Sequence, residues 1–268
     1  MKRTTLFLIL LLGAQTAYSA VFDFVSLIET DTNIGTLSGE YADGSTVGPL
    51  TNPTKQLEDA YKQITWQVDG ITLMASASLD GNTNGLVDGA AGGDIAAYAY
   101  LDKKSGGKFA GLGVCAAAST KGGQDNQCTV GSGDNAGIVS GNQNTPNVGL
   151  REFLTLEFDR EVSVDFGNST FRDDDHYLFT DSSKILDMLI SIDGGAWAAF
   201  DPLDAAGVRL VGTRFDLRTA EGEVDGYYID SLAGVHAVPI PPSALLFGSA
   251  LLGFAGIRRR KKQLGDQP

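Results

Sequence analysis

Ile64-Thr65-Trp66-Gln67-Val68, Asp69-Gly70, Ile71-Thr72-Leu73-Met74-Ala75 is the stretch whose reading decides the fold. Two runs rich in β-branched and aromatic residues flank a dipeptide suited to positive φ at both positions, the requirement of a tight two-residue hairpin turn. A second hairpin is expected where Leu189 to Ile192 and Ala196 to Phe200 flank Asp193-Gly194-Gly195. Further strands are expected at Ile95–Leu101, Phe153–Phe158, Val162–Phe166, Ser169–Phe171, Tyr177–Phe179, Val208–Val211 and Tyr227–Leu232. Leu154, Leu156 and Phe158 alternate with Thr155 and Glu157, as one buried and one wet face require. Only Lys55 to Lys62 reads as a short helix. With 34 glycines and few helical periods, the pattern predicts an all-β domain.

Both ends carry a different signal. Lys2 and Arg3 precede an apolar run from Leu6 to Leu12, and Ala17-Tyr18-Ser19 offers small residues where a signal peptidase reads. This predicts a signal peptide over 1–19, cleaved before Ala20. At the other end Val238-Pro239-Ile240-Pro241-Pro242 precedes an uncharged run from Ser243 to Ile257, followed by Arg258, Arg259, Arg260, Lys261 and Lys262. Counted from Ile240 the run has 18 residues, close to the minimum of about 17 for a membrane span. The five cations then belong on the cytoplasmic side and all upstream residues outside.

The expected organisation is signal peptide 1–19, β domain 20–232, Pro-rich linker 233–242, transmembrane helix 243–257 and basic tail 258–268. Removing both ends takes away seven of the 20 Lys+Arg but only one of the 33 Asp+Glu, leaving about −19 on the exported part. Such acidity argues against nucleic acid or an anionic membrane surface as partner. The only cysteines, Cys115 and Cys128, are most simply a disulfide in an exported chain. Closing a loop of about 14 residues is worth about 3 kcal/mol in the chain-entropy model. The Gly/Asn/Ser/Gln-rich stretch Thr120 to Gly149 reads as an ordered surface loop tied down by that bond.

The C-terminal arrangement of Val-Pro-Ile-Pro, apolar helix and Arg/Lys block closely resembles the PEP-CTERM sorting signal. Exported proteins of exopolysaccharide-producing Gram-negative bacteria carry it, and Ile240 stands where family members most often have Glu. A second resemblance to exported PEP-CTERM domains covers roughly residues 95–235. It rests on Ala99-Tyr100-Leu101-Asp102, Gly106 to Cys115, Gln127-Cys128, Ser132-Gly133-Asp134-Asn135, Glu152 to Leu156 and Thr170 to His176. The resemblance implies an extracellular β-sandwich with a disulfide, processing by an exosortase, and no assigned reaction. Relatives often place two aspartates before the asparagine; here Gly133-Asp134 stands instead.

Candidate chemistry is sparse. Asp80-x-Asn82-x-Asn84-Gly85-x-x-Asp88 has the first half of a calcium loop, but Ala91 occupies the closing twelfth position. A Gly/Asn-rich hairpin loop favours the same residues and is the preferred reading. Asp173-Asp174-Asp175-His176 is the densest polar cluster; Asp173 and Asp175, with Asp134, Asn135 and Glu152, form a second candidate Ca²⁺ set, set against an exposed acidic turn. Catalysis finds little support. The chain has two histidines, His176 and His236, and neither Gly-x-Ser-x-Gly nor His-Glu-x-x-His. Glu152 and Glu157, an odd number apart on one strand, point to opposite faces, against a glycosidase pair. Trp66 is taken to lie on the face opposite Ile64 and Val68, pointing outward. That makes it the candidate sugar contact, ahead of Trp197 and Tyr227/Tyr228.

The sequence therefore describes a single jelly-roll-like β-sandwich that is exported and held briefly in the inner membrane. Delivery is expected to the outer surface or the extracellular biofilm matrix. Signal peptidase and exosortase are its processing partners, exopolysaccharide its expected neighbour and Ca²⁺ its candidate ion. A structural or glycan-binding role leads, and a polysaccharide-active enzyme is the alternative.

Overall fold

The computed structural model describes residues 19–29, 36–51, 59–80, 97–104, 108–115, 118–121, 124–128, 151–173, 176–180, 188–201, 203, 207–219 and 226–239. The chain divides into two compact units, Met1–His236 and Ala237–Pro268, and the described residues fall almost wholly in the first.

The described residues are nearly all strand. In order they form β1 (Ala20–Asp23), α1 (Phe24–Glu29), β2 (Thr36–Tyr41), β3 (Thr46–Thr51), β4 (Ala60–Val68) and β5 (Ile71–Asp80). Next come β6 (Tyr98–Lys104), β7 (Lys108–Cys115), β8 (Ala118–Lys121), β9 (Gln124–Cys128) and β10 (Arg151–Asp173). The last are β11 (Met188–Ile192), β12 (Ala198–Phe200), β13 (Arg209–Thr219) and β14 (Tyr227–Ala237).

The deciding hairpin forms as expected. β4 and β5 pair from Ile64↔Ala75 to Val68↔Ile71. Asp69 (φ 49°) and Gly70 (φ 76°) take the two left-handed positions of the turn. The second hairpin repeats the device, with Asp193 at φ 50° and Gly194 at φ 71° between β11 and β12.

Local pattern set these turns; topology did not follow from it. The strands run β1-β14-β7-β6-β4-β5-β10-β13-β11-β12 in one sheet, with β2 and β3 attached beside β4. A further β14–β10 pairing joins the path back on itself, so β14, β7, β6, β4, β5 and β10 form a closed hydrogen-bonded ring. β8 and β9 make a separate hairpin.

Three expectations are corrected. Phe153–Phe158, Val162–Phe166 and Ser169–Phe171 are one strand, β10, whose register against β13 shifts between Glu157 and Val162. The extra residues sit in a bulge at exposed Asp159-Arg160-Glu161, which lets a strand bend and stay continuous. The short helix at Lys55–Lys62 does not form through its described end, because Ala60–Lys62 belong to β4, where Ala60 and Tyr61 pair with β6 and Tyr61 also with β2. The described helix is instead α1, where the Asp23 carboxylate accepts the Ser26 N–H at 2.9 Å as an N-cap. Finally, Ala233–Ala237 are not linker. They continue β14, with Ala20 opposite Val235, because Leu232 and Val235 still have an apolar interior to enter.

That interior is a string of aromatic rings. Phe24 packs on Trp66, Trp66 on Phe22, Phe22 on Phe158, and Phe158 on Phe215. Phe215 continues through Phe166, Phe200 and Phe171 to Tyr227, with centroids 5.3–6.5 Å apart along this half. These edge-on contacts each add about 0.5–1.5 kcal/mol beyond area burial.

Candidate functional site

Trp66 is 2 % exposed and inside that string. The outward assignment fails on strand geometry: residues two apart share a face, so Ile64, Trp66 and Val68 point the same way. Ile64 is buried beside it. Trp66 is a core residue. Tyr227 and Tyr228 are likewise buried, while Trp197 is half-buried, with the Arg218 guanidinium 4.0 Å from its ring centroid and Phe153 against its edge.

The polar chemistry gathers elsewhere, around His176. Alternate residues of β14 point to opposite faces, so Tyr227 enters the aromatic string while Tyr228 faces away from it. There Tyr228 joins Tyr100, Ala60, Ala110 and Cys115 in a second small cluster. The Tyr228 hydroxyl donates to Asp102 Oδ2 of β6 at 2.7 Å. His176 Nε2 lies 3.3 Å from the same oxygen, and its ring meets Tyr228 edge-on at 5.3 Å. Asp102 and His176 are 3 % and 2 % exposed. His176 reaches this position by adopting φ 67°, a left-handed conformation that is costly for a residue with a Cβ.

The turn carrying His176 is fastened at several points. The Asp173 carboxylate accepts the Tyr177 N–H at 2.7 Å, and the His176 N–H donates to the Asp173 carbonyl at 2.9 Å. Arg172 donates from Nη1 to the His176 carbonyl at 3.1 Å and from Nε to Asp230 of β14 at 2.8 Å. Burial pushes the Asp230 carboxyl up from its ordinary range, and the Arg172 guanidinium opposes that rise. The outcome is an Asp–His–Tyr contact inside the wall, with Tyr177 and Leu178 left exposed on the turn.

This arrangement fastens a turn; it does not present a reactive group. His176 Nδ1 is buried without a hydrogen-bond partner. A cavity of about 440 Å³ lies elsewhere, against Ile190, Ile192, Ala198, Phe200, Val208 and Leu210. Its lining is mostly apolar and includes Asp201.

The calcium candidates are not assembled by the described residues. Asp173 spends its carboxylate on its own turn. Glu152, paired to Leu79, and Asp173 stand at opposite ends of β10. Asp80 faces Arg151 in the same ladder. Asn82, Asn84, Asp88, Asp134, Asn135 and Asp175 lie outside the described residues, among which no group of three metal-ligating side chains occurs. His236 is part of β14.

Cys115 is fully buried at the end of β7, and the described residues include no free cysteine. Of the sorting motif, Val238 and Pro239 are described, just past β14, with Pro239 exposed. Ile240, Pro241 and the Arg258–Lys262 block lie outside. No helix of the described residues is long and apolar enough to cross a membrane.

The sequence singles out His176 as a metal ligand or hydrogen-bond donor in an acidic turn, but not Asp102 and Tyr228 as its partners. Their one legible signal is a charged Asp102 closing the apolar run Tyr98–Leu101, where an acidic residue needs a buried donor.

Fold and site define an all-β domain whose last described strand closes the ring, with a buried Asp–His–Tyr fastening. Comparison with protein-family models, curated proteins and solved structures finds no match to this chain.

Proposed function

We propose that this chain is an exported, exosortase-sorted protein of the bacterial surface or exopolysaccharide matrix, in which the β domain is the delivered part. The observation that carries the reading is where β14 stops. The strand ends at Ala237, and Val238 and exposed Pro239 follow at once outside it. A cut at the Val-Pro-Ile-Pro motif would spare every described strand. Proline there holds the chain extended, the conformation a protease needs.

The role of the delivered domain is structural in this proposal, with glycan contact secondary, because Trp66 is spent on the core. Its architecture is taken as a jelly-roll-like sandwich, supported by the aromatic string that the strands enclose. The Cys115–Cys128 disulfide is supported by the β8–β9 hairpin, which returns residue 128 opposite Ala118, three residues past Cys115. A non-reduced linked peptide in mass spectrometry tests it. Calcium at the Asp80–Asp88 loop stays second to a Gly/Asn-rich hairpin loop, and a rise in melting temperature with millimolar Ca²⁺ tests it.

The test of the sorting reading is the C-terminus of protein recovered from the native host's matrix. Intact-mass analysis should find it between Val238 and Pro242. Recovery of residues 243–268 on that protein overturns the reading.

A further inference from the structure

The first and last described strands pair with each other: Ala20 lies opposite Val235, Phe22 opposite Leu232 and Asp23 opposite Ser231. Among the described residues β1 has no other strand partner. β14 is more connected still. It pairs with β7 through Ile229↔Leu112 and with β10, so it both closes the ring and receives β1. Its side chains hold two strands, β6 through one contact and the far end of β10 through three. Tyr228 donates to Asp102 of β6, Asp230 holds Arg172 of β10, Ser231 meets Thr170, and Tyr227 packs on Phe171. Tyr227, Tyr228, Ile229, Leu232 and Val235 are all buried. By contrast β4–β5, β6–β7 and β11–β12 are local hairpins whose pairing needs only short loops or turns.

We infer that β14 is a closing strand. The domain builds from its local hairpins as an open sheet with unpaired β7 and β10 edges. It becomes a closed, cooperative unit only when residues 227–237 insert, and β1 docks in the same step. The physical reason is loop entropy. The β14–β7 pairing, Ile229↔Leu112, spans 117 residues against 71 to 85 for β5–β10, so closing the ring there is its costliest loop closure and comes after the others. For a chain delivered from its N-terminus, closure waits for the residue next to the Val-Pro-Ile-Pro motif. The inference rests on pairing alone and stands whether or not the tail is sorted.

The experiment is pulsed hydrogen exchange during refolding of the full chain. Amides of β4 and β5 should become protected first. Those of β14, β1 and the facing edges of β7 and β10 should follow together, about tenfold more slowly. Protection of β14 in step with β4–β5, or of β1 ahead of β14, overturns the inference. A second arm places a specific protease site within residues 220–225 of the full chain and cuts the folded protein. The fragment carrying β14 should co-elute with the rest in gel filtration, and its removal should abolish the near-ultraviolet circular dichroism. Release of the fragment with that signal unchanged overturns the inference independently.

Discussion

Replacing Gly111 with alanine tests the closure of the ring at its tightest point. Gly111 has φ +103°, and a Cβ added there would stand 2.2 Å from the Ile229 carbonyl oxygen and 2.9 Å from its carbon. Both are backbone atoms, so no rotamer change relieves the contact. β14 must retreat by about 0.8 Å to reach the 3.0 Å that real Cβ contacts observe. The neighbouring pair Leu112↔Ile229 is where β7 meets β14, so the retreat falls on the pairing itself. Forcing positive φ on alanine costs about 1–2 kcal/mol. Losing one or two ladder hydrogen bonds adds about 1 kcal/mol each. Loosened packing around buried Ile229 and Leu112 brings the total to about 4 kcal/mol. For a domain of this size that lowers Tm by about 8–16 °C. Gly70→Ala is the matched control: φ is +76° but nothing lies within 4 Å of its added Cβ, leaving only the conformational cost of about 1 kcal/mol. Thermal and urea unfolding of the two variants, followed by tryptophan fluorescence, measure the difference. If Gly111→Ala melts no lower than Gly70→Ala, the close approach of β7 and β14 is wrong.

Tyr228→Phe removes the hydroxyl that donates to buried Asp102 and should cost about 1–3 kcal/mol in urea unfolding, since a carboxylate loses a partner it cannot replace with water; an unchanged midpoint would place Asp102 at the surface. Asp193 accepts from the Thr213 hydroxyl, the Thr213 N–H and the Arg214 N–H, tying the β11–β12 turn to β13. Those donors, the hydroxyl foremost, hold its carboxyl below the ordinary range. The native state therefore binds fewer protons, and the contribution is present above the unfolded carboxylate pKa and lost as pH falls through the folded one. Asp193→Ala should flatten the acid limb of the stability profile by less than about 1 kcal/mol, given its exposure. A wild-type and variant pair with parallel acid limbs would refute the assignment.

The sequence determined what depends on neighbours along the chain. Asp69-Gly70 and Asp193-Gly194 dictate their turns because few residues tolerate positive φ, and alternation at Leu154, Leu156 and Phe158 dictates which side chains enter the aromatic interior, although on the face expected to be wet Thr155 is buried against Asp216 and only Glu157 is exposed. Signals that require partners were misread or missed. Trp66 was placed outside although its spacing from Ile64 assigns it to the same buried face. β10 looked like separate strands because a bulge resembles a break when the partner strand is unseen. Asp102, His176 and Tyr228 come from β6, a turn after β10, and β14, so nothing local announces their meeting. Only the tertiary structure decided that β14 joins β1, β7 and β10, since strand pairing is a choice among distant edges and propensity is blind to which edge wins.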